Sequence, residues 1–125
     1  MAVIAPVIDR LSATPDESVL RVTWPAVTEA DTCTPVSFPA WCERTAQVFG
    51  TFGAGGAVTM QGSNDGTNFA TMNNRQGAGI VVTAAGLATS QDLPVWVRPL
   101  ISAGTGVSVS IVLALHRQDF SGTGR

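Results

Sequence analysis

Along residues 107–116 the side chains alternate, with Val107, Val109, Ile111, Leu113 and Leu115 on one parity and Ser108, Ser110, Val112, Ala114 and His116 on the other. A period of two sustained over ten residues predicts a β-strand with one strongly apolar face. Weaker versions recur at 18–24 (SVLRVTW), where Leu20, Val22 and Trp24 face in and Pro25 ends the run, and at 44–52 (RTAQVFGTF), where Ala46, Val48, Gly50 and Phe52 share a face. In 93–101 (LPVWVRPLI), Val95, Val97, Pro99 and Ile101 alternate with Trp96, Arg98 and Leu100. Pro99 has no N–H to give a ladder, so this strand is expected at a sheet edge or to stop pairing there.

Between these runs the chain turns. Residues 57–72 (AVTMQGSNDGTNFATM) place Val58 and Met60 before, and Phe69 and Met72 after, a cluster of Gly, Ser, Asn and Asp that tolerates positive φ, which predicts a β-hairpin. A short strand is expected at 80–83, a loop at 84–90, and an irregular connection over 26–41 with a short edge strand near 36–38. No stretch of ten residues has helical periodicity. Six to eight short strands separated by turns imply a single antiparallel β-sandwich, all-β in class. The pattern fits a jelly roll or an immunoglobulin-like sandwich, and a jelly-roll-like topology is preferred.

Residues 1–17 contain Pro6 and Pro15 and follow no period, so they are read as an extended N-terminal arm, 18–118 as the sandwich domain, and 119–125 as a C-terminal tail. The arm carries Val3, Ile4, Val7, Ile8 and Leu11. Their apolar surface is expected to dock as an interface rather than face water.

Composition sharpens this picture. In 125 residues only 13% are charged, against about 25% in ordinary soluble domains, so part of the surface is expected to meet a partner. Seven arginines, no lysine and nine carboxylates give a net charge of −2, and the arginines are scattered. Nucleic acid is therefore not an expected partner, since a polyanion calls for clustered positive charge. The first ten residues have no basic segment, and their apolar run is short and broken by Pro6, so neither an export signal nor a membrane span is expected. Without an export signal, Cys33 and Cys42 are expected to be free thiols, with a small bridged loop as the alternative.

Candidate chemistry is sparse. The single histidine, His116, sits on the mixed face of a strand and reads as a surface or interface residue rather than a general base. No HExxH, CxxC, GxSxG or P-loop motif occurs, so no catalytic residue and no cofactor are assigned. Aligning Gly66 with the invariant glycine of an EF-hand loop puts Gln61 at position one and Met72 at position twelve, so calcium ligation fails at both ends and no metal is assigned. Trp24, Trp41 and Trp96 could form a sugar-stacking platform only if they share a face. Trp96 and Arg98 project side by side from one strand and are residue types enriched at binding hot spots, which makes them, with His116, the expected contact residues outside the arm.

Three segments, the turn 62–69 (GSNDGTNF), the strand 93–99 (LPVWVRP) and the final strand 104–117, resemble small virion proteins of tailed phages. They are most similar to the capsid cement, or decoration, proteins of short-tailed bacteriophages, and the likeness covers roughly residues 44–117. The resemblance implies a jelly-roll-like domain on the outer surface of the capsid, made in the host cytoplasm. It would assemble with itself as a dimer or trimer and tie neighbouring major capsid protein subunits together. It transfers no catalytic residues. The alternative is a phage tail or fibre component, or a carbohydrate-binding sandwich module.

Overall fold

The computed structural model describes residues 2–10, 19–38, 41 and 43–116. Among the described residues eleven strands appear in chain order: β1 (Val3–Ile4), β2 (Val7–Arg10), β3 (Val19–Val27), β4 (Thr32–Cys33), β5 (Glu43–Thr51), β6 (Ala54–Ser63), β7 (Ala70–Thr71), β8 (Val81–Val82), β9 (Gly86–Thr89), β10 (Trp96–Thr105) and β11 (Ser108–His116). They form a five-stranded sheet in the order β2-β3-β11-β5-β9 and a four-stranded sheet in which β6 pairs with β10 on one side and with β7 and β8 on the other. Every pairing in these two sheets is antiparallel, while the short β1–β4 pair is parallel. The protein is thus an all-β antiparallel sandwich, as its alternation implied.

The clearest strand of the sequence occupies the centre of the larger sheet. In β11, Val109, Ile111, Leu113 and Leu115 are buried, and they meet Leu20, Val22, Trp24 and Val27 from β3 and Ala46 and Val48 from β5. Val58 and Met60 of β6, Val97 and Ile101 of β10, and Met72 and Ile80 close the same core from the smaller sheet. Burying apolar area of this kind is worth about 25 cal/mol per Å², which is why the strands with the strongest alternation lie innermost. Trp24 is fully buried, and its indole N–H is satisfied by the Thr34 carbonyl at 2.9 Å.

Four sequence expectations are corrected. Pro25 does not end its strand: β3 continues to Val27, because Pro25 and Ala26 form a bulge opposite Ser110, between the Trp24–Ile111 and Val27–Val109 pairs. A bulge is one of the few sheet positions that tolerates a residue without an N–H. Ala26 takes a φ of 50° there, and its N–H is caught by the Ser110 hydroxyl at 3.2 Å. Residues 84–90, expected as a loop, contain β9, which pairs with β5 at the edge of the larger sheet. The connection over 26–41 holds β4, and the edge strand sought at 36–38 is the single bridge between Val36 and Val97.

The last correction concerns the N-terminal segment. Its sequence reads as an extended arm without strands that docks as an interface, and its described part instead forms strands, β1 against β4 and β2 against β3 of its own chain. Two-residue and four-residue strands lack a legible period, and their pairing partners lie far along the chain. Leu11 and the proposed tail at 119–125 fall outside the described residues.

Pro99 behaves as expected. β10 lies at the edge of its sheet, with Pro99 opposite Met60. On its other side, paired N–H and C=O groups of Val97 reach Val36, and the next outward position on that edge is the proline.

Candidate functional site

Alternation leaves each sheet an outer face, and the two faces hold the candidate contact residues. On the smaller sheet the register sets three rungs: Trp96 beside Ser63; Arg98 beside Gln61 and then Thr71; Leu100 beside Thr59 and then Val81. Trp96, Arg98 and Leu100 are each half-buried on this face. The Arg98 guanidinium carbon lies 3.9 Å from the centre of the Phe69 ring, and its Nε donates to Gln61 Oε1 at 3.0 Å. Stacking on one side and a hydrogen bond on the other hold the planar group in a single orientation. Thr59 donates its hydroxyl proton to Ser102 at 2.8 Å. This face is built from side chains that already constrain one another.

The turn before Phe69 supports that patch. Asp65 accepts from the backbone N–H groups of Thr67 and Asn68, each at 2.8 Å, from the Ser63 hydroxyl at 2.8 Å and from the Asn68 amide at 2.9 Å. These donors, the Asn68 N–H foremost, hold the Asp65 carboxyl well below the usual carboxylate range. Its oxygens are occupied by the turn itself, so the residue tested as a calcium ligand is a loop clasp. Gly66 follows with a φ of 78°, and a Cβ there would lie 3.1 Å from the indole nitrogen of Trp96. Glycine lets the turn close against the tryptophan.

The outer face of the larger sheet is different. One rung runs Val7, Thr23, Val112, Gln47, Leu87 across all five strands, and the next runs Asp9, Arg21, Ala114, Thr45, Thr89. Asp9 and Arg21 form an ion pair at 3.3 Å at one end, with Ser110 beside Phe49 and Ser108 beside Thr51 along the sheet. Leu87 is 71% exposed, Val7 53% and Phe49 45%. This face is broad, short-chained and almost uncharged.

The remaining sequence-selected residues scatter. Val3 is 71% exposed on β1, Ile8 is exposed on β2, and Ile4 packs partly against the core. His116 is exposed at the end of β11 on a rung with Val19 and Glu43. The three tryptophans do not form a platform: Trp24 is in the core, Trp41 packs edge-on to Phe38 at 5.6 Å, and Trp96 alone lies on an outer face. Cys33 is a buried free thiol whose pKa is pushed up to about 11, chiefly by burial, so it is a poor nucleophile. Cys42 lies outside the described residues.

Two residues with structural roles escaped the sequence reading. Arg44 is 2% exposed and donates from Nε to the Trp41 carbonyl at 3.0 Å, from Nη1 to Pro94 at 2.9 Å and from Nη2 to Phe38 at 3.3 Å. It ties β5 of one sheet to the approach of β10 in the other. Glu29 accepts the N–H groups of Gly106 and Val107 at 3.1 and 2.9 Å, which pins the β10–β11 turn. Arg44 shares the parity of Ala46 and Val48, so alternation places it on the apolar face, but no local signal shows that three carbonyls would satisfy it there.

Shallow concavities flank the 73–90 region. One of about 430 Å³ is lined by Arg75, Ser90, Gln91 and Leu93, and another of about 310 Å³ lies between β8 and β9. Both are open to solvent, and neither gathers a set of ionisable side chains. Among the described residues no group of three His, Cys, Asp or Glu is placed to hold a metal ion. The chain matches no family model and no curated protein.

Proposed function

We propose that this chain is a structural virion protein, a capsid cement or decoration protein, that binds the outside of a phage shell and bridges neighbouring coat subunits. The observation that carries the reading is the pair of outer sheet faces. One is almost uncharged with Val7, Phe49 and Leu87 exposed, and the other is ordered around Arg98 and Trp96. A domain whose described residues place their chemistry on flat faces is suited to burying surface against other proteins. The jelly-roll-like topology is part of the same proposal, as is assembly into a dimer or trimer through the uncharged face. The described carboxylates and arginines are dispersed or paired, which disfavours nucleic acid as the partner.

The mechanism is mass action. A subunit that binds the assembled lattice and not its free components stabilises the lattice by its binding free energy, and many copies multiply modest contacts. The test is copy number in purified particles of the source phage, measured by quantitative mass spectrometry. Hundreds of copies per particle, with shells that lose heat resistance when the gene is deleted, are the expected result. A handful of copies would move the protein to the tail, and its absence from particles would overturn the reading.

A further inference from the structure

We infer that the outer face of the larger sheet is closed by the same face of a second copy, about a two-fold axis running along β11, so that the protein assembles with itself as a dimer. The inference deepens the assembly proposed above and rests on that reading for the use of this face by copies; the arrangement of the pair is read from the sheet.

β11 is the middle strand of five, with β3 and β2 on one side and β5 and β9 on the other. Rotation about an axis lying on the face along β11 therefore lays β2 of one copy over β9 of the other, and β3 over β5, with each rung kept against itself. In the rung Val7, Thr23, Val112, Gln47, Leu87, exposed Val7 then meets exposed Leu87 of the second copy at both margins, Thr23 meets Gln47, and Val112 lies on the axis. In the rung Asp9, Arg21, Ala114, Thr45, Thr89, the Asp9–Arg21 ion pair lies over the hydroxyls of Thr89 and Thr45, and Ala114 lies on the axis. Apolar ends cover apolar ends, and neither rung opposes like charges. An axis across the strands fits worse, since laying β2 over β2 with the two rungs exchanged sets the Asp9 carboxylate against Val7.

The second requirement is area. β3, β5 and β11 each contribute nine residues, and β2 and β9 four. With strands about 4.8 Å apart and a rise of about 3.3 Å per residue, the flat footprint is about 550 Å², so two copies withdraw about 1,100 Å², above the roughly 1,000 Å² that a specific interface needs. An isologous pair must also set its central row against itself. In β11 the middle of that row, Ser110, Val112 and Ala114, is short, half-buried and uncharged, whereas the row on β3 carries Arg21 and the row on β5 carries Gln47 and Phe49. Short chains let two sheets approach to about 10 Å, and an axis close to β11 keeps their strands within about 30° of each other, the ordinary geometry of stacked sheets. One continuous face packed on itself closes after two copies, while a trimer needs two different patches that meet head to tail.

The experiment uses the full chain in solution, with binding to shells assembled without it measured in parallel. Sedimentation equilibrium of the wild type is expected to give twice the chain mass. Ala114→Glu sets two carboxylates against each other on the axis and is expected to weaken the dimer at least about a hundredfold, while Ala114→Ser stays within about threefold of the wild type. A double variant, Val7→Cys with Leu87→Cys, is expected to be cross-linked between copies by a short bismaleimide, with either single variant and the wild type as blanks. Within one chain the two positions are four strands apart, about 19 Å, beyond the reagent's reach, and this readout does not depend on Ala114→Glu folding. A monomeric wild type, a trimer, or equal cross-linking of the single and double variants overturns the inference, and leaves the proposed function standing if the protein still binds shells. A monomer that binds shells and loses them with Ala114→Glu assigns the face to the coat and overturns the second copy as its occupant. A cross-linked dimer that binds no shell upholds this inference and overturns the capsid reading, and a wild type that neither pairs nor binds shells overturns both.

Discussion

The two outer faces come from the same alternation in the same domain, yet they are different kinds of surface. On the smaller sheet the half-buried and buried polar side chains lean on one another: Arg98 on Phe69 and Gln61, Thr59 on Ser102, Trp96 against the Gly66 turn. On the larger sheet the rungs are Thr, Val, Ala, Ser and Gln, with exposed Val7, Phe49 and Leu87 and one ion pair at the margin. The first face has its side-chain entropy removed before any partner arrives, which favours one specific contact. The second is permissive and suits packing by area, as between copies. The difference shows that period-two patterning decides which residues are outside and says nothing about whether they are organised.

The most damaging way to break the comparison is to unfix one sheet from the other. Arg44→Met keeps much of the volume but removes the donors to Trp41, Pro94 and Phe38, and it is expected to cost about 3 kcal/mol of stability, since hydrogen bonds from charged groups contribute about 1.5–3 kcal/mol each. Chemical denaturation would show this as a lower midpoint with an unchanged slope. An unshifted midpoint would mean that the buried arginine is not a clamp.

A smaller effect on stability, but a selective one, should follow from placing charge on the permissive face. Leu87→Asp and Phe49→Asp are each expected to change stability by no more than about 0.5 kcal/mol, as exposed substitutions usually do. Light scattering should nevertheless show loss of self-association, while shell binding by single subunits persists. If both variants associate as the wild type does, the larger face is not the one that copies share.

The smallest effect concerns the clasp beneath the organised face. Asp65 is held below its ordinary range by the Asn68 and Thr67 N–H groups, Glu29 by its own N–H and those of Val107 and Gly106, and Asp31 by the Thr28 N–H and hydroxyl. A lowered folded-state pKa stabilises the fold at pH above the unfolded value, near about 4, and that contribution disappears as pH falls through the folded value. The melting temperature should therefore hold from pH 7 to about 5 and decline below about 4. Asp65→Asn should melt lower than the wild type at pH 7, with the gap narrowing as acid protonates the wild-type carboxylate. A gap that stays constant with pH would remove the charge from the explanation.

Much of this molecule is legible in the chain itself. The buried set on β11, β3 and β5 follows from alternation, because a strand between two others can bury only one parity against a facing sheet. The turn at 62–68 follows from residues that accept positive φ or bond their own backbone, and Asp65 does the latter. Pro99 marked an edge because it lacks a donor. The pairing of Trp96 with Arg98 on one face was also readable, since two residues apart on a strand is the same side.

What the tertiary structure decided is everything that depends on partners distant in sequence. β1, β2 and β9 are too short to carry a period, and they exist because β4, β3 and β5 offer edges to pair with. Pro25 stays within its strand because Ser110, eighty-odd residues on, accommodates a bulge. Arg44 is a buried clamp because three carbonyls converge on it, and Arg98 keeps one orientation because Phe69 and Gln61 fold beside it. Local pattern determines which way a side chain points, since that is set by the backbone of its own strand. What the side chain meets there is set by loop closure and packing, which no single stretch of sequence contains.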